Sequence, residues 1–173
     1  MPGDPRPLRP AGGGLARGPR RSGDGFVTVA GGGIRWGRYG AAGVLFRHVD
    51  IDGVVWLFLA RRSAFCHRGG TWGVPGGALD HGEGVLEGAL REFTEEVGSL
   101  PASFSVAEVH EDDHGGWSYW TVVVDVEEPF PLPTSLNWET DEVRWVAVPE
   151  LGTLALFDAF EATLGRLGIT DAG

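Results

Sequence analysis

Residues 85–97 constrain this chain more than any other stretch. Leu86, Ala89, Leu90, Phe93 and Val97 recur at helical spacing and predict an amphipathic helix with these residues as its core face. Gly98 follows where a left-handed helix end is wanted, and Pro101 opposes continuation. Glu92, Glu95 and Glu96 are spaced i, i+3 and i+4, so they share a second face. Like charges at that spacing repel, and two of them fall in the last turn, where the helix dipole disfavours anions. The two penalties together cost about 1 kcal/mol. A cation reverses the sign of that cost, because a hard ion such as Mg²⁺ takes oxygen ligands. Sites that break local rules are where function is expected. The competing reading is an acidic face turned to water.

Around this helix the hydrophobic pattern predicts an α/β domain. Residues 39–48 and 54–61 read as two buried strands joined by a turn at Asp50, Ile51, Asp52 and Gly53, hence a hairpin. A glycine-rich link, residues 67–77, leads to the helix. Residues 104–109 and 117–126 read as further strands, separated by an acidic turn over residues 111–116 that carries Asp112, Asp113 and His114. A last strand is expected at 143–148 and a second amphipathic helix at 154–167. Strands interleaved with two helices predict a mixed sheet covered on both sides. Residues 1–24 stand apart: prolines, glycines and arginines dominate, and such a composition buries too little apolar surface to order itself. We therefore expect a disordered segment over 1–24 and one folded domain over 25–173.

Composition removes several functions. All fourteen basic residues are arginine, so lysine chemistry is excluded. The net charge of −10 opposes binding to a nucleic-acid backbone. Cys66 is the only cysteine, which rules out an intrachain disulfide and a cysteine zinc site and suits a reducing cytoplasm. No apolar run approaches the roughly 20 residues that span a bilayer.

The residues before the carboxylates decide between the two readings of the helix. Gly77, Glu83, Arg91, Glu92, Glu95, Glu96 and Gly98 stand in the spacing G-x5-E-x7-R-E-x-x-E-E-x-G. This resembles the Nudix box, and seven identities at the right spacing have chance odds on the order of 10⁻⁸ per start position. The final apolar position of the box is Ser99 here, a departure that falls beyond the helix. The resemblance extends more weakly over about residues 36 to 165, through Trp72 to Gly77 and the late strand around residues 142–146.

The resemblance implies a Nudix-type α/β/α sandwich with a mixed sheet, the box helix and a C-terminal helix. It implies a pyrophosphohydrolase that uses Mg²⁺ or Mn²⁺ to cleave a nucleoside diphosphate linked to another moiety. Glu92 and Glu96 then match the metal ligands, Glu95 an assisting carboxylate, and the carbonyl of Gly76 a further ligand. Gly77, Glu83, Arg91 and Gly98 are the structural residues of the box, with Arg91 tied to Glu83. Arg91 lies about 100° around the helix from Glu92 and need not compete with the ion. Glu139 and Glu142 flank the late strand and are candidates for the general base, or else plain surface charges. Arg61 and Arg62 are candidates for phosphate contacts. Trp72, Trp117, Tyr119, Trp120 and Trp138 offer rings for a base, Trp72 foremost, while Trp56 and Trp145 suit the core.

The expected partner is a small-molecule nucleotide: an oxidised nucleoside triphosphate, ADP-ribose, a nucleotide sugar or a dinucleoside polyphosphate. Nucleic acid and membrane are not expected partners, and an exposed aromatic strand leaves a homodimer open. The rival reading is a nucleotide-sensing Nudix domain without catalysis, which the three intact glutamates oppose.

Overall fold

The computed structural model describes residues 21–169. The disorder expected for residues 1–20 lies outside the described residues. Residues 21–24, grouped with them on composition, hydrogen-bond to the domain. Gly23 N–H donates to Asp80 Oδ1 at 3.0 Å, and His81 N–H donates to the Arg21 carbonyl at 3.1 Å.

The chain opens with a small hairpin, β1 (Phe26–Thr28) and β2 (Ile34–Trp36), which the sequence reading did not anticipate. There follow β3 (Ala41–Val49), β4 (Val55–Arg62), β5 (Trp72–Gly73), β6 (Gly76–Ala78) and helix α1 (Val85–Glu96). After these come β7 (Ser105–Asp113), β8 (Ser118–Asp125), β9 (Thr140–Ala147), a 3-10 turn (Val148–Thr153) and helix α2 (Asp158–Arg166). β3 to β9 form one seven-stranded sheet. β3 is central: it pairs antiparallel with β4 and β6 and parallel with β8, while β7 flanks β8 and β9 flanks β4. The sheet is therefore mixed, and the expected hairpin of β3 and β4 is present.

Alternation along the strands supplies two cores, because successive side chains point to opposite faces. Val44, Phe46, Phe58, Val122 and Val124 bury against Ala89, Phe93 and Val97 of the α1 segment. Leu45, Leu57, Leu59, Val123 and Val146 bury against Phe160 and Leu164 of α2. The result is the three-layer α/β/α sandwich. Phe93 anchors the first core, its ring 5.0 Å from that of Phe46 and 5.7 Å from that of Phe58. Each such ring contributes roughly 1.5–3 kcal/mol by burial, and this fixes α1 on the sheet. Among the described residues no helix is long and apolar enough to cross a membrane.

Four local expectations need correction. Leu86, assigned to the core face of α1, is exposed, and Gly88 is buried in the helix beside Ala89. A side chain at 88 has no room, since an added Cβ would lie 2.2 Å from Leu79 Cδ2. The acidic stretch at 111–116 is not mainly turn. β7 continues to Asp113 because its backbone pairs with β8 up to Ser118, and the reversal is confined to His114–Trp117. β9 starts at Thr140, earlier than expected. The second helix starts at Asp158, four residues late, because Leu156 is held extended by a bridge to Trp72.

Candidate active site

α1 delivers its carboxylates unequally. The side chains of Glu92 and Glu96 turn inward, whereas that of Glu95 is 59% exposed and leans on Arg91 Nη1 at 3.4 Å. Glu96 accepts a hydrogen bond from the Gly76 N–H at 3.3 Å, which places its carboxylate against β6. Glu92 packs over Gly77, where an added Cβ would come within 2.5 Å of its Oε2. Glycine at 77 is thus required by the close approach of this carboxylate. Gly98, with φ of +134°, lets the chain leave the helix directly after the pair.

Arg91 organises the loop that precedes the helix. Its Nε and Nη2 donate to the two Glu83 oxygens at 2.9 and 3.0 Å, and Nη2 also donates to the Ala78 carbonyl at 2.8 Å. The Glu83 side chain has no exposed surface. A forked pair of this kind is rigid and strong. Arg91 is not indifferent to Glu92, contrary to expectation: Nη1 donates to Glu92 Oε1 at 2.7 Å. The 100° offset between adjacent helical positions is bridged because the long arginine side chain folds across the helix surface.

Electrostatics mark the same pair. Burial raises the pKa of Glu96 to about 8, and the negative charges of Glu92 and Glu139 push the same way. The Gly76 N–H and Arg62 oppose them. Burial also raises Glu92, against the hydrogen bond and charge of Arg91. Glu139 therefore acts electrostatically on both box carboxylates.

A turn sets the position of Glu139. Its N–H donates to Asn137 Oδ1 at 3.0 Å, and the Asn137 N–H donates to the Glu96 carbonyl at 3.3 Å. Its own carbonyl accepts from Ser63 N–H at 2.8 Å and Cys66 Sγ at 3.8 Å. Glu142 is placed differently: it pairs with Arg144 and, at 3.4 Å, with Arg61. Arg61 and Arg144 lie over the Trp72 ring at 6.0 and 5.1 Å. Trp72 itself is buried, with its ring in the second core. The bulge between Arg61 and Arg62 separates the two arginines, and Arg62 Nε donates to the His67 carbonyl.

The other rings sort by burial. Trp117 is buried and donates to the Gly37 carbonyl, Tyr119 and Trp120 are partly buried, and Trp138 is exposed. Trp56 and Trp145 are both partly buried; Trp56 donates to Asp50, and Trp145 packs on Phe130. The sequence reading missed Asn137 and Ser63, which fix the Glu139 turn. Nothing in a single sequence marks a turn-forming asparagine as supporting a residue next to a distant helix.

The donor set suits a divalent ion. Glu92, Glu96 and the Gly76 carbonyl offer oxygen alone, and the two carboxylates are raised by burial and by neighbouring carboxylates, Glu95 and Glu139 on Glu92 and Glu92 and Glu139 on Glu96, which a cation relieves. Among the described residues no three acidic, histidine or cysteine side chains converge as a closed metal cage. An open site is what Mg²⁺ takes in nucleotide enzymes, with water and phosphate oxygens completing its shell.

The profile of the NUDIX domain matches residues 37–166. The chain belongs to the Nudix family. A Mycobacterium tuberculosis protein provisionally named 8-oxo-dGTP diphosphatase 3 is 43% identical over 154 residues, covering 86% of this chain and 70% of that protein. The Escherichia coli 8-oxo-dGTP diphosphatase is 36% identical over 70 residues, 38% of this chain and 54% of that one. The crystal structure of RenU, a Nudix hydrolase from M. smegmatis, is similar with a TM-score of 0.73 at 37% identity, covering 84% of this chain and 93% of that one. The chain is thus a Nudix pyrophosphohydrolase, of a family that generally uses divalent metal ions and acts on small nucleotides.

Proposed function

We propose that this Nudix hydrolase cleaves an oxidised purine nucleoside triphosphate, of the 8-oxo-dGTP class, into the nucleoside monophosphate and pyrophosphate. The observation that carries the reading is the inward pair on α1, Glu92 packed over Gly77 and Glu96 accepting from the Gly76 N–H, with the charge of Glu139 acting on both. The names of the M. tuberculosis and E. coli relatives support the substrate class.

In this reading Glu92, Glu96 and the Gly76 carbonyl hold Mg²⁺ or Mn²⁺, with Glu95 at the exposed margin. When bound there, the ion would supply charge neutralisation of the diphosphate and a lowered pKa for water. Glu139 accepts the proton from the attacking water. The backbone of Glu139 is fixed by Asn137 Oδ1 and the Ser63 N–H, which supports a role that needs a held carboxylate. Arg62, whose charge bears on Glu96, would donate to a phosphate oxygen. Glu142 serves by holding Arg61 and Arg144 over Trp72.

The test is product release from 8-oxo-dGTP, dGTP, ADP-ribose, a nucleotide sugar and a diadenosine polyphosphate, with Mg²⁺ or EDTA, for wild type and Glu96→Gln. The expected result is metal-dependent pyrophosphate release fastest from 8-oxo-dGTP and lost in the variant. Faster cleavage of ADP-ribose, the sugar or the dinucleotide overturns the substrate class. Binding of nucleotide without cleavage overturns the hydrolytic reading.

A further inference from the structure

We infer that Asp80 is a positioning residue for Glu92: a strap of residues 21–25, clamped on Asp80, fixes the box loop and so limits how far Arg91 reaches onto that carboxylate. The inference rests on the reading of Glu92 as a metal ligand.

Asp80 falls at a position that the G-x5-E spacing leaves open, yet it is tied down from several directions. Its Oδ1 accepts from the Gly23 N–H at 3.0 Å, and its N–H donates to Glu83 Oε2 at 2.9 Å. Its carbonyl accepts from the Glu83 N–H at 3.0 Å, which closes the turn. Glu83 in turn holds Arg91 Nε and Nη2, and Arg91 Nη1 donates to Glu92 Oε1. An unbroken series of hydrogen bonds therefore runs from Gly23 to Glu92.

The strap is seated on both sides. Gly23 is buried, although Arg21, Ser22 and Asp24 beside it are exposed. The Gly23 carbonyl accepts from the Arg38 N–H at 2.7 Å, and the Gly25 carbonyl from the Gly37 N–H at 2.8 Å. The strap thus lies between the link of residues 37–40 and the box loop and bonds to each. The His81 ring of that loop packs on Tyr39 of the link, 5.1 Å away. Only glycine seats this closely, since a Cβ at 23 would lie 1.8 Å from the Leu79 carbonyl oxygen, a backbone atom that cannot turn aside.

Arg91 is where this seating reaches the chemistry. Its guanidinium stands among three carboxylates, those of Glu83, Glu92 and Glu95. Two nitrogens are committed to Glu83, so only Nη1 meets Glu92. A loop that shifts would free the fork to turn onto Glu92, where it competes with an ion for the same oxygens. Groups that orient a ligand from behind in this way are typically worth roughly 10–100-fold in metal affinity.

The test titrates Mn²⁺ by electron paramagnetic resonance, and the rate against Mg²⁺, for wild type, Asp80→Ala, Asp80→Asn, Gly23→Ala and the double alanine variant. Each single alanine variant is expected to weaken Mn²⁺ binding and raise the half-saturating Mg²⁺ about tenfold. At saturating Mg²⁺ kcat should return to within about twofold of wild type, because the ion then displaces Arg91. Asp80→Asn should match wild type, since its amide oxygen accepts the same bond. The double variant should bind no more weakly than the weaker single one, as residues acting through one bond are not additive. Wild-type affinity in Asp80→Ala overturns the inference, and so do additive losses or an asparagine variant as weak as the alanine one. Should the wild type bind no Mn²⁺, the metal-site reading fails by itself. Hydrogen exchange at Arg91 Nε–H then decides the strap: faster exchange in Gly23→Ala upholds it, and unchanged exchange overturns it.

Discussion

Arg91 donates to Glu92 at 2.7 Å while its other two nitrogens grip Glu83. One guanidinium therefore joins the loop, the helix and a carboxylate of the site. Arg91→Ala leaves the buried Glu83 carboxylate with the Asp80 N–H but without its cation. Removing a charged hydrogen-bond partner from a buried carboxylate costs about 1–3 kcal/mol, so the urea midpoint should fall accordingly. Arg91→Lys keeps the charge but loses the fork, and should fall between the two. A lysine variant as stable as wild type would show that the forked geometry is idle.

Glu96 makes the metal-free protein sensitive to alkali. The folded chain keeps its proton up to about pH 8, whereas an ordinary glutamate releases it near 4.5. Between those values the folded state binds more protons, so stability falls as pH rises. Glu96→Gln removes this loss. In EDTA the variant should melt higher than wild type at pH 8 and equal to it near pH 4. Mg²⁺ should then raise the melting temperature of wild type alone, since an ion that binds the native state stabilises it. An Mg²⁺ shift retained by the variant contradicts the role of Glu96 as a ligand.

Gly77→Ala is a geometric probe of Glu92. The new methyl would stand 2.5 Å from Oε2, the end of a side chain that can move, so folding should survive. The carboxylate cannot stay where it is. Turnover should drop at least tenfold, with a higher Mg²⁺ requirement, read from rate against metal concentration. At Gly76 the added methyl meets backbone instead, at 2.4 Å from the Ala42 carbonyl. Gly76→Ala should therefore lower the melting temperature itself.

Glu139 and Glu142 should separate in kinetics. A general base contributes about 10²–10⁴-fold, so Glu139→Gln should cut kcat by that order with KM little changed. Glu142→Gln releases Arg61 and Arg144 and should act chiefly on KM, by less than tenfold. Equal effects on kcat from both would remove Glu139 from the proton transfer. Saturation kinetics at fixed Mg²⁺ reads the difference.

The box and the layered fold were legible from sequence because both rest on local periodicity. Glu83, Arg91, Glu92 and Glu96 fall on one loop and one helix, and their spacing alone brings them together. The hairpin of β3 and β4 was legible for the same reason, through the turn at Asp50 and Gly53. What escaped depends on distant segments. The burial of Glu92 and Glu96 against the exposure of Glu95 is set by β6 and by the turn at Asn137, not by helical spacing. Leu86 was misplaced because periodicity gives the width of an apolar face without saying where the sheet ends. α2 began late because Trp72, far away in sequence, holds Leu156 extended. Glu139 and Glu142 looked equivalent until the Ser63 bond fixed one and the arginines captured the other.

The parallel pairing of β3 with β8 carries a consequence for biosynthesis. β3 and α1 are complete by Glu96, but the strand that closes the second edge of β3 starts only at Ser118, and Glu139 comes later still. A nascent chain paused before β8 leaves Val44, Leu45 and Phe46 along an open sheet edge. Long-range pairing of this kind forms slowly and leaves sticky intermediates. The same order means that the bond from Asn137 N–H to the Glu96 carbonyl forms only after most of the chain has been synthesised.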